Sequence, residues 1–505
     1  MIPTGPWPFI LLGIVDRMIL VHLFGSRYVS TDEAVQWHAA MDYSKGLFHG
    51  PFFYGQNYGP MLEALIAAPF FRLGVPMYVL LPAIGSLLAM LPYWSFALWF
   101  QHKGQLMAAM ILAAFPLLMP VEFGAMTNMA GCGVLALIPL GWRMKRAFFR
   151  SLATGAVCSF ALYINANTLV VIPVLVLLHI LSEERMMARF ALVALGATPG
   201  IALYMAALHW CLAHPERIIH RMVELQFQVD LERMGTALAN LNDHFEWLMP
   251  VVWPYGGLLG LWLIGLVAWS VMKRNWIVAA SLGSGLLVIL LSFTVDKVYD
   301  GWDSIYFSLS RMFVGVPLLV ALGTALLLNS AKPSIWVSRV LLGTCLLAMI
   351  VRTETTERIT QHQVKYQRMW VGIGRVDALR EDAQRLKRLS DLHHVDLIVP
   401  LRSPSVVWPQ FRAYLHPVLE PELAPTYLAG YERRYWIHET FADTVVNTLL
   451  VTGGPRECWA LIRDADPCIT LIQDDGVDLV HIVENNTLET DVLIKSLMEQ
   501  LLETW

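Results

Sequence analysis

Two adjacent carboxylates, Asp32 and Glu33, follow the first strongly apolar stretch of the chain, in the segment STDEAVQWHAAMDYSKGLFHGPFFYGQNYGPMLEALIAAPFFRLG covering residues 30–74. A carboxylate at a membrane surface can take a proton from a hydroxyl. The pair alone is weak, since Glu183-Glu184 and Asp474-Asp475 recur elsewhere in 505 residues. Its company singles it out. Trp37, His38, Tyr43, Tyr54, Gln56, Asn57 and Tyr58 share the segment. Amide and phenol groups among aromatic rings suit a polyhydroxylated ligand, whose hydroxyls want both donor and acceptor while its apolar faces stack on rings. Thr31-Asp32-Glu33 ahead of AVQWHAAMDY also reads as a helix start. A second costly pair, Asp16-Arg17, lies inside the apolar stretch itself. Neighbouring helical positions diverge by about 100°, so each of these two predicts a partner on another helix.

The elements that must hold these residues are membrane spans. Hydrophobic residues make up 56% of the chain and charged residues 15%, and the mean hydropathy is +0.53, which together exclude an ordinary soluble protein. Apolar runs of spanning length lie near 7–25, 76–100, 105–122, 126–142, 190–210, 247–271, 276–293, 312–329 and 335–351. The stretch 151–182 would rise about 48 Å as one helix at 1.5 Å per residue, so it is split at Asn165-Ala166-Asn167, giving eleven spans. With that split Lys103, Arg143, Lys145, Arg146, Arg150, Arg185, Arg189, Lys273, Arg274, Lys332 and Arg339 share one side, which the positive-inside rule makes cytoplasmic. The acidic first loop and everything after residue 351 then face outward. The lead MIPTGP carries no Lys or Arg, so the first segment reads as a retained helix with a cytoplasmic N-terminus. A net charge of −4 without a basic stripe argues against a nucleic-acid partner.

Residues 352–505 read as an α/β domain behind the membrane domain 1–351. VDALREDAQRLKRLSDL (376–392) places Val376, Leu379, Ala383, Leu386 and Leu389 on one helical face. VDLIVPL, TVVNTLLVTGG, CITLIQDD and VDLVHIVEN read as strands, and LETDVLIKSLMEQLLETW as a closing helix. Between membrane segments, Ile218, Met222, Leu225 and Val229 predict an amphipathic helix, either lying in the interface or packed in a loop. Cys132, Cys158, Cys211 and Cys345 fall in or beside apolar runs and read as small buried hydrophobes. Cys458 and Cys468, in the outward tail, are candidates for a disulfide.

The acidic loop resembles that of the GT-C superfamily, integral-membrane glycosyltransferases that use polyprenyl-phosphate-linked sugars and include the protein O-mannosyltransferases and aminoarabinose transferases. Asp32-Glu33-Ala34 matches the family's acidic motif in type and place, GQNYGPMLEALIAAPFFRLG (55–74) is similar to a pattern of its bacterial members, and SLSRMFVGVPLLVAL (308–322) to its arginine-led mouth of a late span. The resemblance implies a GT-C-like fold of about eleven spans in a bacterial cytoplasmic membrane. It further implies inverting single displacement with Asp32 as general base. Glu33, Gln56, Asn57, Tyr58, Glu63, Glu122 and Arg311 would line the substrate, Arg311 meeting the departing phosphate beside Tyr306, Asp296, Asp300 and Asp303. Partners would be a polyprenyl-phosphate sugar donor, a glycan, lipid or protein acceptor, and membrane lipids; a divalent cation is the cofactor to consider. The chain departs from the family at the fourth span, where Glu122 and Asn128 stand in place of a clear second acid, and at Gln56-Asn57, where the aminoarabinose transferases carry lysine. The competing class is a transporter or lipid-binding membrane protein without transferase activity, for which Asp16, Arg17 and the Asn165–Asn167 break would be pathway features.

Overall fold

The computed structural model describes residues 5–119, 129–220, 230–295, 298, 309–366 except 330 and 332, 373–400, 411–428 and parts of 441–495. Six helices among these are long and apolar enough to cross a membrane: Trp7–Gly25, Met77–His102, Ala147–Ile164, Met186–Ala213, Ser310–Leu327 and Ile335–Gln361. Five shorter apolar helices accompany them, Leu106–Leu118, Ala130–Trp142, Ala166–Leu181, Gly257–Met272 and Trp276–Ser292. The protein is an α-helical membrane protein.

The ambiguous stretch does fold back at its asparagines. The helix Ala147–Ile164 stops where Asn165 turns extended (φ −151°, ψ 117°), and a 3-10 turn, Ala166–Val170, leads into Ile172–Leu181. Asn165 Oδ1 accepts from the Asn167 amide at 2.8 Å, a local bond that competes with helix continuation. Arg150, at the start of the first helix, bonds Glu183 just past the end of the second at 2.5 Å, so the two run antiparallel. The next helix, Met186–Ala213, packs backbone to backbone on the first, since a Cβ at Gly155 would sit 1.9 Å from the Val193 carbonyl oxygen.

Asp16 and Arg17, on α1 (Trp7–Leu20), lie in a buried ionic cluster. Asp16 Oδ1 accepts from Arg352 at 2.5 Å, and Arg17 Nε lies 3.5 Å from Asp16 Oδ2. Arg17 also donates to the Pro116 carbonyl at 2.6 Å, and Arg352 to those of Leu117 at 2.8 Å and Met119 at 3.2 Å. These carbonyls close a helix C-terminus, where the backbone dipole favours cations. Each member does reach another helix, although Arg17 reaches its own neighbour as well. Arg352 belongs to a helix that hydropathy ends at 351 but that runs unbroken from Ile335 to Tyr366.

That helix delivers the chain to β4 (Ile373–Arg375), which pairs antiparallel with β1 (Tyr28–Ser30) directly after the first span, Tyr28 opposite Arg375 and Ser30 opposite Ile373. α2 (Thr31–Ser44) follows β1, then β2 (Gly55–Gln56) and α3 (Leu62–Arg72). β2 pairs with β3 (Ile218–His220). The amphipathic helix expected from Ile218 therefore begins as a strand, because its first residues find a backbone partner; Met222, Leu225 and Val229 lie outside the described residues. In the tail the helix Val376–His393 buries Val376, Leu379, Ala383, Leu386 and Leu389, as its periodicity predicts. A four-stranded sheet runs in the order β5 (Leu397–Pro400), β6 (Thr448–Thr452), β8 (Leu479–Glu484), β7 (Ile469–Asp474), parallel only between β5 and β6. A helical turn begins at Thr490; the rest of the expected closing helix, and Cys458 and Cys468, lie outside the described residues. Cys132, Cys158, Cys211 and Cys345 are free and buried.

Candidate functional site on the first polar helix

α2 starts with a reciprocal cap. Ser30 Oγ accepts from the Glu33 amide at 3.3 Å, while Glu33 Oε2 accepts from the Ser30 amide at 2.6 Å. The two adjacent carboxylates are thereby separated in character. Glu33 turns back into the protein and is buried, whereas Asp32 stands exposed on the first turn. Burial pushes the Glu33 carboxyl up to about 8, against the bonds from Ser30, with the Asp32 charge adding to the rise. At neutral pH Glu33 is held protonated, so it does not add a second negative charge beside Asp32.

Glu63, in the first turn of α3, is also buried, and its Oε1 accepts from the Ala130 amide at 3.2 Å. Burial pushes its carboxyl up to about 8, against that hydrogen bond. Arg311 is buried in the 3-10 turn Leu309–Phe313, and its carbonyl accepts from Asn167 Nδ2 at 3.0 Å. Gly131, next to Ala130, packs so closely on the same bend that a Cβ there would sit 2.8 Å from Asn165 Cβ. The fold-back at Asn165–Asn167 thus touches both the Glu63 partner and Arg311. A second chain of contacts joins Arg311 to α2: Trp247 donates its amide to Ser310 Oγ at 3.1 Å, and Trp247 packs on Ile373, which pairs with Ser30.

Gln56 is placed differently, in β2 opposite His220, with Asn57 and Tyr58 half-buried in the following turn. That turn is bounded by Gly55 (φ 77°) and Gly59 (φ 70°), left-handed positions that favour glycine. Glu122, Asn128, Asp296, Asp300, Asp303 and Tyr306 lie outside the described residues. Trp37 is buried in the core and is no stacking platform for a ligand.

The spacing of residue types had not singled out Asp42, at the other end of α2. Asp42 is buried, accepts from the Tyr54 hydroxyl at 2.9 Å, and has His38 Nε2 at 3.7 Å and His49 Nε2 at 3.6 Å. His38 Nδ1 lies 3.3 Å from the Tyr414 carbonyl oxygen, which ties this end of α2 to the tail. Burial lowers both histidines, with Asp42 opposing, so both are neutral near pH 7. The i, i+4 placing of His38 and Asp42 was the available signal. Beneath this contact, Asp382 is bonded by Arg412 at 2.9 Å and Arg385 at 2.8 Å, with His416 Nε2 at 3.4 Å. Burial would raise Asp382, but Arg412, His416 and Arg385 hold it at about 2; burial pushes His416 down to about 4, with Asp382 opposing. Among the described residues no group of three or more His, Cys, Asp or Glu is arranged to hold a metal ion.

The class defined by fold and site is a polytopic helical membrane protein carrying an exposed carboxylate beside a buried one. No protein-family model matches the chain, and no curated protein matches it significantly.

Proposed function

We propose that the protein is a GT-C-type glycosyltransferase that moves a sugar from a polyprenyl-phosphate donor to an acceptor hydroxyl at the outer face of a bacterial cytoplasmic membrane. The observation that carries this reading is the unequal carboxyl pair at the head of α2, Asp32 exposed and Glu33 buried and turned back onto Ser30. Asp32 takes the acceptor proton as the hydroxyl attacks the anomeric carbon, the bond to phosphate breaks, and the phosphate leaves with its electron pair. Arg311, linked to α2 through Ser310, Trp247 and Ile373, is the cation assigned to the departing phosphate. In this reading the tail, tied to the start of α2 by the β1–β4 pairing, serves as an outward cap.

The test is Asp32→Asn in the full-length purified protein, supplied with polyprenyl-phosphate sugars and membrane acceptors. Transfer should fall by about 10²- to 10⁴-fold while the protein stays folded. Near-normal turnover by a folded Asn variant rejects Asp32 as base. The transporter reading draws on Asp16, Arg17 and Arg352, but their bonds to one another and to Pro116, Leu117 and Met119 carbonyls suit a structural tie between helices.

A further inference from the structure

Gln36 lies one helical turn after Asp32, and the i, i+4 spacing puts both side chains on one face of α2 with Cβ atoms about 5–6 Å apart. It is only 5% exposed, and its Oε1 accepts no hydrogen bond. Buried hydroxyls in helices commonly satisfy themselves on the carbonyl four residues back, as Ser270 and Thr356 do here. A glutamine amide oxygen has no such recourse, being an acceptor only. The other buried polar groups of α2 have partners, Glu33 on Ser30 and Asp42 on Tyr54. An orphaned buried amide oxygen one turn below the proposed base has no donor among the described residues and is open to one brought by a ligand.

We infer that Gln36 reads the transferred sugar, its Oε1 accepting from a ring hydroxyl while Asp32, nearer the surface, faces the acceptor. The inference rests on the transferase reading and names what selects its donor. The polarity is fixed by the atom: an acceptor oxygen in a buried setting rewards a hydroxyl presented in one orientation and leaves an epimer with that hydroxyl turned away unmatched. A site built to bond a hydroxyl rejects ligands that lack it far more strongly than an apolar pocket rejects an extra group.

The experiment measures binding of undecaprenyl-phosphate-linked glucose and of its C4 epimer galactose and C2 epimer mannose to the full-length protein and to Gln36→Leu and Gln36→Glu, together with the Tm of each without lipid. The expected result is unequal binding of the three lipids by the wild type, and at least tenfold weaker binding of the preferred one by Gln36→Leu, with the differences among epimers collapsing. Gln36→Glu, which keeps an acceptor oxygen, should retain the ranking. Without lipid, the Tm of Gln36→Leu should equal or exceed that of the wild type, because a buried group with no partner is lost. An unchanged ranking and affinity in Gln36→Leu, or a clear drop in its lipid-free Tm, overturns the role of Gln36 alone. Failure of the wild type to bind any of the three lipids overturns the transferase reading and this inference together.

Discussion

Glu33 and Glu63 carry the least expected chemistry of the site, because both are carboxyls whose burial favours the proton-bearing form up to about pH 8. A carboxyl whose folded value is raised above its ordinary 4.5 contributes stability that is complete below that value and is lost as pH rises toward 8. Glu63→Gln, which keeps the size and an acceptor oxygen for the Ala130 amide, should therefore flatten the alkaline decline in thermal stability between pH 5 and about 8. A decline as steep as that of the wild type would show that Glu63 is ionised in the folded protein. The capping pair makes a different prediction. Ser30→Ala removes one cap bond and should cost about 1 kcal/mol of local helix stability, read as faster amide exchange at the first turn of α2. Much of this was legible from residue types: Thr31-Asp32-Glu33 read both as a helix start and as an acidic pair, and a helix does begin at Thr31, with Ser30 as its cap and Glu33 closing the box. The division of labour between Asp32 and Glu33 was not legible, because it depends on which of two adjacent side chains the fold turns inward. Gln36 and Asp42 escaped notice for the same reason, since burial of a polar group is set by what packs over it.

At the scale of elements, the tail docks on α2 through groups that are stable only in one charge state. His416 is held at about 4 and His38 is also lowered by burial, so folding favours their neutral forms. A histidine depressed below its ordinary 6.5 contributes stability that is full above that value and is lost as pH falls toward 4. Asp382 stays ionised down to about 2 and does not contribute in that window. Acidification from pH 6.5 to 4 should therefore loosen the contact between α2 and residues 411–416, seen as falling protection factors at both once exchange is corrected for its intrinsic pH dependence, and His416→Phe should shift the transition to lower pH. Equal protection factors at pH 7 and pH 4.5 in the wild type would remove the histidines from this role. Hydropathy located the apolar helices well and periodicity located the tail helix Val376–His393, because both follow from which side chains avoid water. It ended the long helix at 351 because charged residues follow, yet Arg352 continues it by finding Asp16 and two carbonyls in the interior. β1, β2, β3 and β4 were invisible for a related reason: each has only two or three residues and exists through a partner distant in sequence.

For the whole molecule, the proposed eleven-span topology would put the first polar loop and the tail on the outer face. Lys103 stacks on Trp99, Arg143 donates to the Leu98 carbonyl and Arg150 to that of Met144, so these cations gather at the end of the helices opposite the Asn165–Asn167 bend. In a background without reactive native thiols, Gly46→Cys and Glu422→Cys should label from outside intact cells, and Met144→Cys only after permeabilisation. Labelling of Glu422→Cys only after permeabilisation would reverse the assigned orientation of the tail. The Asp16–Arg352 bond joins residues 336 positions apart, and the β1–β4 ribbon joins the same two parts of the chain. During synthesis this means that the first helix must enter the bilayer with only its neighbour Arg17 as countercharge, long before Arg352 exists. A carboxylate at mid-membrane costs about 2.5–3.5 kcal/mol on insertion scales, so α1 should be held by the insertion machinery, or wait unsettled, until the helix Ile335–Tyr366 emerges. Ribosome-bound chains stopped before residue 335 should accordingly show an α1 that is accessible to crosslinkers and protease, and completion of the long helix should protect it in a single late step. Quality control of this protein would then sense the arrival of a late helix through the state of its first one.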